Sequence, residues 1–321
     1  MFNSNTISNL LQVEESYMVS YDYFKDLSEN NIDVSMRTTL TTWMLEVCEE
    51  ENCTNEIFSL SVNLFDRLMC VLNKRVEKYH LQLLAIVCLF IAAKLKSNST
   101  LTSMKLIEYT DNSVSLEEFL EWELVVLDKL KWDIAAICPN DYLEIFLSQY
   151  NAKLRLSREQ MELVEKHSYA FTALCSTDFK FAFYPASMIA SACFLTALNG
   201  VFGKVQSLLL ELASITQTDV DFLQSVKDSV EYLFKGEPAE TQTCQEESEK
   251  VEQVFTFEAH FNSNVTLDKS FHDEFSFNIS SESFFDELIL SSKSKSAQKL
   301  KNKISSQLKR QSTRKSGRTR G

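Results

Sequence analysis

From Ser8 to about Phe234, apolar residues recur at helical rather than strand intervals. Leu10, Leu11, Tyr17 and Met18 predict an amphipathic N-terminal helix, with residues 1–32 forming that helix and a linker. A second helix is predicted over Asp33 to Glu51, with Met36, Leu40, Trp43, Leu45 and Val47 as its apolar positions. A third, Asn55 to Leu72, places Ile57, Leu60, Leu64, Leu68 and Leu72 about one turn apart. Lys78 to Lys96 is apolar on every face, the pattern of a helix surrounded by others. Two shorter helices follow, Thr102 to Tyr109 and Leu116 to Leu130, and Ser115 with Glu118 supplies a capping box for the second.

The pattern then starts again. Pro139 suits the first turn of a helix, where its missing N–H does no harm. Ser157 and Gln160 form another capping box, opening a helix to about Cys175. Pro185 opens a second all-apolar helix, and its run Met188 to Leu198 echoes Leu83 to Ala93. Small residues occupy both runs: Ala85, Ala92 and Ala93 in one, Ala190, Ser191 and Ala192 in the other. Two further helices, Gln206 to Ser214 and Asp219 to Phe234, complete the unit. The prediction is an all-α protein: a tandem pair of five-helix domains, residues 33–134 and 135–235, each around a buried hub helix. Gly236, Glu237 and Pro238 end the pattern, and residues 236–321 are expected to form a flexible tail.

Composition agrees and narrows the function. Three prolines and five glycines are too few for the many tight turns of a sheet protein. The net charge of −13 conceals a division, because Leu288 to the C-terminus holds eleven Lys or Arg and no acid, leaving −24 before it. A body that acidic repels phosphate backbones and anionic lipid. Leu83 to Ala93, the longest apolar run, is too short to span a bilayer. Eight cysteines without a CxxC pair, and four histidines, argue against a zinc site, and no cofactor is expected; Cys88 and Cys193 read as small core residues. No signal-like N-terminal pattern is present, so the expected compartments are nucleus and cytoplasm.

Particular segments resemble the D-type cyclin family, whose plan is a pair of cyclin boxes. Met36-Arg37-Thr38-Thr39-Leu40 and the residues on to Glu50 resemble its first box helix. His80-Leu81-Gln82-Leu83-Leu84, followed by Ala92-Ala93-Lys94-Leu95-Lys96, resembles the third. Tyr109 to Ser113 and Leu120 to Leu127 are similar to the fourth and fifth. Thr177 to Ala182 and Tyr184-Pro185-Ala186-Ser187-Met188-Ile189-Ala190 resemble the second box. The likeness covers about residues 8–234. It implies a non-catalytic regulatory subunit that binds and activates a cyclin-dependent kinase of the 4/6 subfamily, promotes the G1/S transition and directs phosphorylation of retinoblastoma-type substrates. Kinase inhibitor proteins are further implied partners.

The resemblance also assigns residues. Arg37 and Asp66 correspond to a buried structural ion pair; solvent-facing charges are the plainer reading. Lys94 and Glu123 fall where cyclins hydrogen-bond the kinase main chain, although Lys94 also suits a helix C-terminus and Glu123 an exposed amphipathic face. Met36, Leu40, Trp43, Glu46, Leu81 and Gln82 resemble a patch that docks basic-plus-leucine motifs. Trp43 fits a core position as well.

Departures matter too. No Leu-x-Cys-x-Glu motif for pocket proteins occurs, and no Ser-Pro or Thr-Pro, so the usual phospho-threonine turnover signal is missing. Phe255 to Leu290 carries eight phenylalanines among polar and acidic residues and suits either a segment that folds on a partner or a plain tail. The basic end, with Lys309-Arg310 and Arg314-Lys315, suits nuclear import, a nucleic-acid contact or a solubilising tail. A two-box transcription factor of the IIB-related type is the main competitor; its zinc ribbon is absent and these repeats are acidic. An enzyme fits worst, since no phosphate loop, HExxH or GxSxG pattern appears.

Overall fold

The structure, a computed structural model, describes residues 4–235 apart from 73–75, 97–100, 155 and 204–205. The Phe-rich and basic C-terminal segments lie outside the described residues. In chain order the helices are α1 (Ser4–Glu14), α2 (Phe24–Leu27), α3 (Val34–Glu50), α4 (Asn55–Leu72), α5 (His80–Lys96), α6 (Ser103–Glu108) and α7 (Leu116–Lys129). They continue with α8 (Pro139–Leu154), α9 (Arg158–Thr177), α10 (Ala186–Phe202), α11 (Gln206–Ile215) and α12 (Val220–Lys235). No strand occurs among the described residues.

Local chemistry sets the starts. Side chains of Asp33, Thr102 and Ser115 accept from the backbone N–H three residues on, each satisfying an otherwise orphaned donor. Ser157 and Gln160 complete the reciprocal box. The ends are less usual. Asn31, Asn52, Asp111, Lys131 and Gln217 all adopt positive φ between 51 and 55°. After each, the next N–H reaches back five residues, as Trp132 does to Leu127 at 2.8 Å and Thr218 to Ala213 at 2.9 Å. These are left-handed helix caps normally given to glycine. A chain this poor in glycine builds them mainly from asparagine, aspartate and long polar residues.

α5 and α10 are the hubs. α5 is buried from His80 to Leu89 and again from Ile91 to Ala93, and packs on α3, α4, α6 and α7. α10 packs on α8, α9, α11 and α12. Ala85, Ala92, Ala190, Ser191 and Ala192 are fully buried, so the small side chains lie where neighbouring helices must approach closely. Two cores result, one from residues between Val19 and Cys138 with Phe179, the other from residues between Tyr142 and Val230 with Ile7.

The N-terminal segment departs from the pattern. α1 stops at Glu14, and Tyr17 ends a single 3₁₀ turn instead of extending the helix. Met18 is extended, at ψ 154°. The Asn63 amide donates to the Tyr17 carbonyl at 2.8 Å and the Tyr17 hydroxyl to Asp133 at 3.0 Å, drawing this stretch across the first repeat. α1 itself docks on the second repeat through Ile7. Buried Glu14 accepts from the Ser187 N–H and hydroxyl, both at 2.8 Å, at the start of α10. Burial raises the Glu14 carboxyl above its ordinary value, and the two Ser187 bonds work the other way.

His80 opens α5 inside the core, 1% exposed, with Nδ1 accepting from the Glu77 N–H at 3.1 Å. Burial pushes its pKa down to about 4. The unfolded chain therefore takes up this proton at a higher pH than the folded one. The contribution to stability is intact above the ordinary value of 6.5, erodes on acidification and is gone below about 4. The full loss is about 3 kcal/mol. His80→Asn keeps an acceptor, so urea denaturation at pH 7 and pH 5 should show a shallower pH slope than the parent. Equal slopes would remove His80 from the acid sensitivity.

Candidate functional site

Lys94 lies in the last turn of α5 and Glu123 in the middle of α7, 29 residues apart. The packing of α5 on α7 brings them into a direct ion pair. The Glu123 side chain is 12% exposed and the Lys94 side chain 51%, so the carboxylate is held in the wall while the ammonium faces outward. The Lys94 ammonium also sits 4.3 Å from the Phe90 ring centroid, a cation–π contact one turn earlier. Beside this pair, Leu116 and Leu120 remain about two-fifths exposed, and with Glu123 they recur at i, i+4 and i+7 along one face of α7. Leu95 and Met104 are exposed on the adjoining α5 and α6. Lys94 and Glu123 are expected from the sequence resemblance; these leucines are not. Their signal was available: Leu116 and Leu120 stand one turn apart on the face of α7 that flanks the one buried through Phe119, Trp122 and Val126. An apolar surface of this kind around a positioned charge pair suits a protein partner.

The ion pair of Arg37 and Asp66 lies deep between the repeats, both side chains at most 3% exposed. Arg37 Nε donates to Asp66 Oδ1 at 2.8 Å and Nη2 to Oδ2 at 2.7 Å. The same guanidinium donates to the carbonyls of Thr177 at 2.9 Å and Ser176 at 3.1 Å, at the end of α9. Tyr23 donates its hydroxyl to Asp66 at 2.8 Å, and the Phe179 ring lies 5.2 Å from the guanidinium carbon. Burial alone would lower the Arg37 pKa; Asp66 outweighs it and leaves the group raised. The geometry is that of a structural rivet through α3, α4 and α9.

The six patch residues divide. Met36, Leu40 and Trp43 share the face of α3 that meets α5, where Leu81 and Gln82 occupy the first turn. Leu40, Trp43, Leu81 and Gln82 are at most 5% exposed, so these four are part of the first core's wall. Met36 and Glu46 are only half-buried and remain accessible. Burial, then Glu49 and Glu50, raises the Glu46 carboxyl. The indole of Trp43 thus takes the core position that its spacing allowed. Beyond it opens a cleft of about 660 Å³ between α3 and α9, with Trp43, Glu46, Cys53, Tyr109 and Tyr169 in its wall.

Among the described residues no helix is long and apolar enough to cross a membrane, and no His, Cys or carboxylate group is clustered to hold a metal. The family "Cyclin, N-terminal domain" matches residues 5–135 and "Cyclin, C-terminal domain" residues 137–259. The chain is 44% identical over 259 residues to the G1/S-specific cyclin-D2 of Xenopus laevis, covering 78% of this chain and 87% of that protein. With the mouse (Mus musculus) cyclin-D2 it shares 45% over 241 residues, 73% of this chain and 81% of the relative. Human (Homo sapiens) cyclin-D3 is 41% identical over 237 residues, 73% and 78% of the two chains. A viral cyclin from herpesvirus saimiri shares the fold, with a TM-score of 0.60 at 22% identity over 72% of this chain and 96% of its own. Taken with the two hub-centred helical repeats, these likenesses establish that the chain belongs to the D-type cyclins, cell-cycle regulators of the G1/S kind and not enzymes.

Proposed function

We propose that the first repeat binds a cyclin-dependent kinase of the 4/6 subfamily and activates it, promoting G1/S progression and phosphorylation of retinoblastoma-type substrates. The carrying observation is the Lys94–Glu123 pair set among exposed Leu95, Leu116 and Leu120. A kinase is active only when its strand lysine pairs with a glutamate on its regulatory helix and its activation loop is ordered. A rigid surface that prefers the active position of that helix shifts the population toward it, and no chemistry is asked of the binding partner. α5 and α7 provide such rigidity, since both are anchored by buried faces. Met36 and Glu46 are proposed to receive the basic-plus-leucine motifs of substrates and inhibitors, the carboxylates of Glu46, Glu49 and Glu50 matching the basic part.

Lys94→Ala combined with Glu123→Ala is expected to weaken kinase binding about 30-fold, roughly 2 kcal/mol, with thermal unfolding nearly unchanged. A pull-down titration with purified kinase measures the first and circular dichroism the second. Parent-like affinity in the double variant would rule out this surface as the kinase contact.

A further inference from the structure

α3 ends in a cap of defined geometry. Asn52 takes φ of 51°, its N–H donates to the Glu49 carbonyl at 3.1 Å, and the Cys53 N–H donates to the Cys48 carbonyl at 2.8 Å. This is the Schellman arrangement, which folds the residue after the left-handed position onto the residue five before it. The contact at that point is usually between two apolar side chains. Here both are cysteines, both reduced, set against each other by the cap's backbone bond from Cys53 to Cys48. Cys48 is buried, whereas Cys53 is partly open, and both line the cleft between α3 and α9.

We propose that Cys48 and Cys53 form a dithiol that hydrogen peroxide or an organic hydroperoxide converts to a disulfide, with Cys53 as the attacking sulfur and Cys48 as the resolving one. In the first step the Cys53 thiolate attacks one peroxide oxygen. An S–O bond forms, the O–O bond breaks, and the other oxygen departs as hydroxide or alkoxide and is protonated. In the second step the Cys48 sulfur attacks the Cys53 sulfenic sulfur. The S–S bond forms, the S–O bond breaks, and the oxygen leaves as water with the Cys48 proton. Two thiols are oxidised by two electrons and one peroxide is reduced.

The order of roles follows from the surroundings. Cys53 is the partly open sulfur and Cys48 the buried one; the neighbouring Cys48, with help from Lys105, holds the Cys53 thiol below its ordinary value against burial and Glu51. Cys53, burial and Glu49 push Cys48 up. Lys105 is kept close by its ion pair with Glu51 at 2.5 Å, which also receives the Tyr109 hydroxyl at 3.2 Å. No other described thiol combines these properties. Cys175 and Cys193 approach to 3.8 Å but are both sealed in the second core. Cys70 is partly open, yet burial raises its thiol, and the group it meets is the Tyr21 carbonyl at 3.8 Å. A covalent link at the cap would pin the rim of the cleft next to Trp43 and Glu46.

The test uses the reduced full-length chain and hydrogen peroxide below one equivalent. The expected product, read by peptide mass spectrometry, is a Cys48–Cys53 link with loss of two hydrogens. Iodoacetamide should label Cys53 several-fold faster than Cys70 at neutral pH in the untreated parent chain. In Cys48→Ser the reaction should stop at a Cys53 sulfenic acid captured by dimedone. Labelling of Cys53 no faster than Cys70, or peroxide consumption that leaves Cys48 and Cys53 unlinked, would overturn the proposal. Both readings come from the parent chain, so neither depends on how a variant folds.

Discussion

Arg37→Met is expected to lower stability by about 3–5 kcal/mol, the cost of leaving one partner of a buried pair uncompensated. The cost is high here because the guanidinium has four acceptors. Two belong to Asp66 and two are main-chain carbonyls, of Ser176 and Thr177. With the cation gone, Asp66 keeps the Tyr23 hydroxyl but no positive neighbour at hydrogen-bond distance. The end of α9 loses two of its bonds to α3 as well, keeping the Thr41 hydroxyl at 3.5 Å from the Thr177 carbonyl. Urea denaturation of the full chain measures the change. Arg37→Met with Asp66→Leu should recover part of the loss, since an apolar pair leaves no orphaned charge. A single variant within 1 kcal/mol of the parent would mean that water or a moved helix replaces the rivet.

Phe194→Ala is the second large effect, again about 3–5 kcal/mol, through loss of transfer free energy and a residual cavity. The ring is fully buried in α10, with centroids 5.9 Å from Phe146 and 5.5 Å from Tyr150. Both neighbours are on α8, so the truncation separates the hub from one wall of the second core. The three tryptophans, Trp43, Trp122 and Trp132, all lie in the first repeat, so their fluorescence reports chiefly that repeat. Far-ultraviolet circular dichroism reports both. The variant should therefore lower the dichroism midpoint more than the fluorescence midpoint. Coincident midpoints, both lowered, would show that the repeats unfold as one cooperative unit.

Much of the architecture was legible because hydrophobic period and capping chemistry are local. The buried character of α5 and α10 followed from Leu83 to Ala93 and Met188 to Leu198, and the box at Ser157 and Gln160 formed as read. What escaped was long-range. Nothing in the N-terminal pattern told that Ile7 belongs to the second core, or that Tyr17 would turn out of the helix toward Asp133. Periodicity puts Leu40 and Trp43 on an inward face but cannot say whether that face is open to a peptide or closed by α5. Arg37 and Asp66 could be paired by resemblance, whereas the Ser176 and Thr177 carbonyls that share the guanidinium carry no side-chain signature. Cys48 and Cys53 were counted among scattered thiols, because a spacing of five brings two side chains together only across a left-handed cap.

The seat of α1 bears on how the chain is made. Ser187, which holds Glu14, lies 173 residues further along. Ribosomal synthesis at about 5–20 residues per second separates the emergence of the two by roughly ten to thirty seconds. During that interval the opening helix has no groove to enter, while the helices of the first repeat already have theirs. Helix α1 is thus made before the other described helices, yet its docking waits until the second hub has formed.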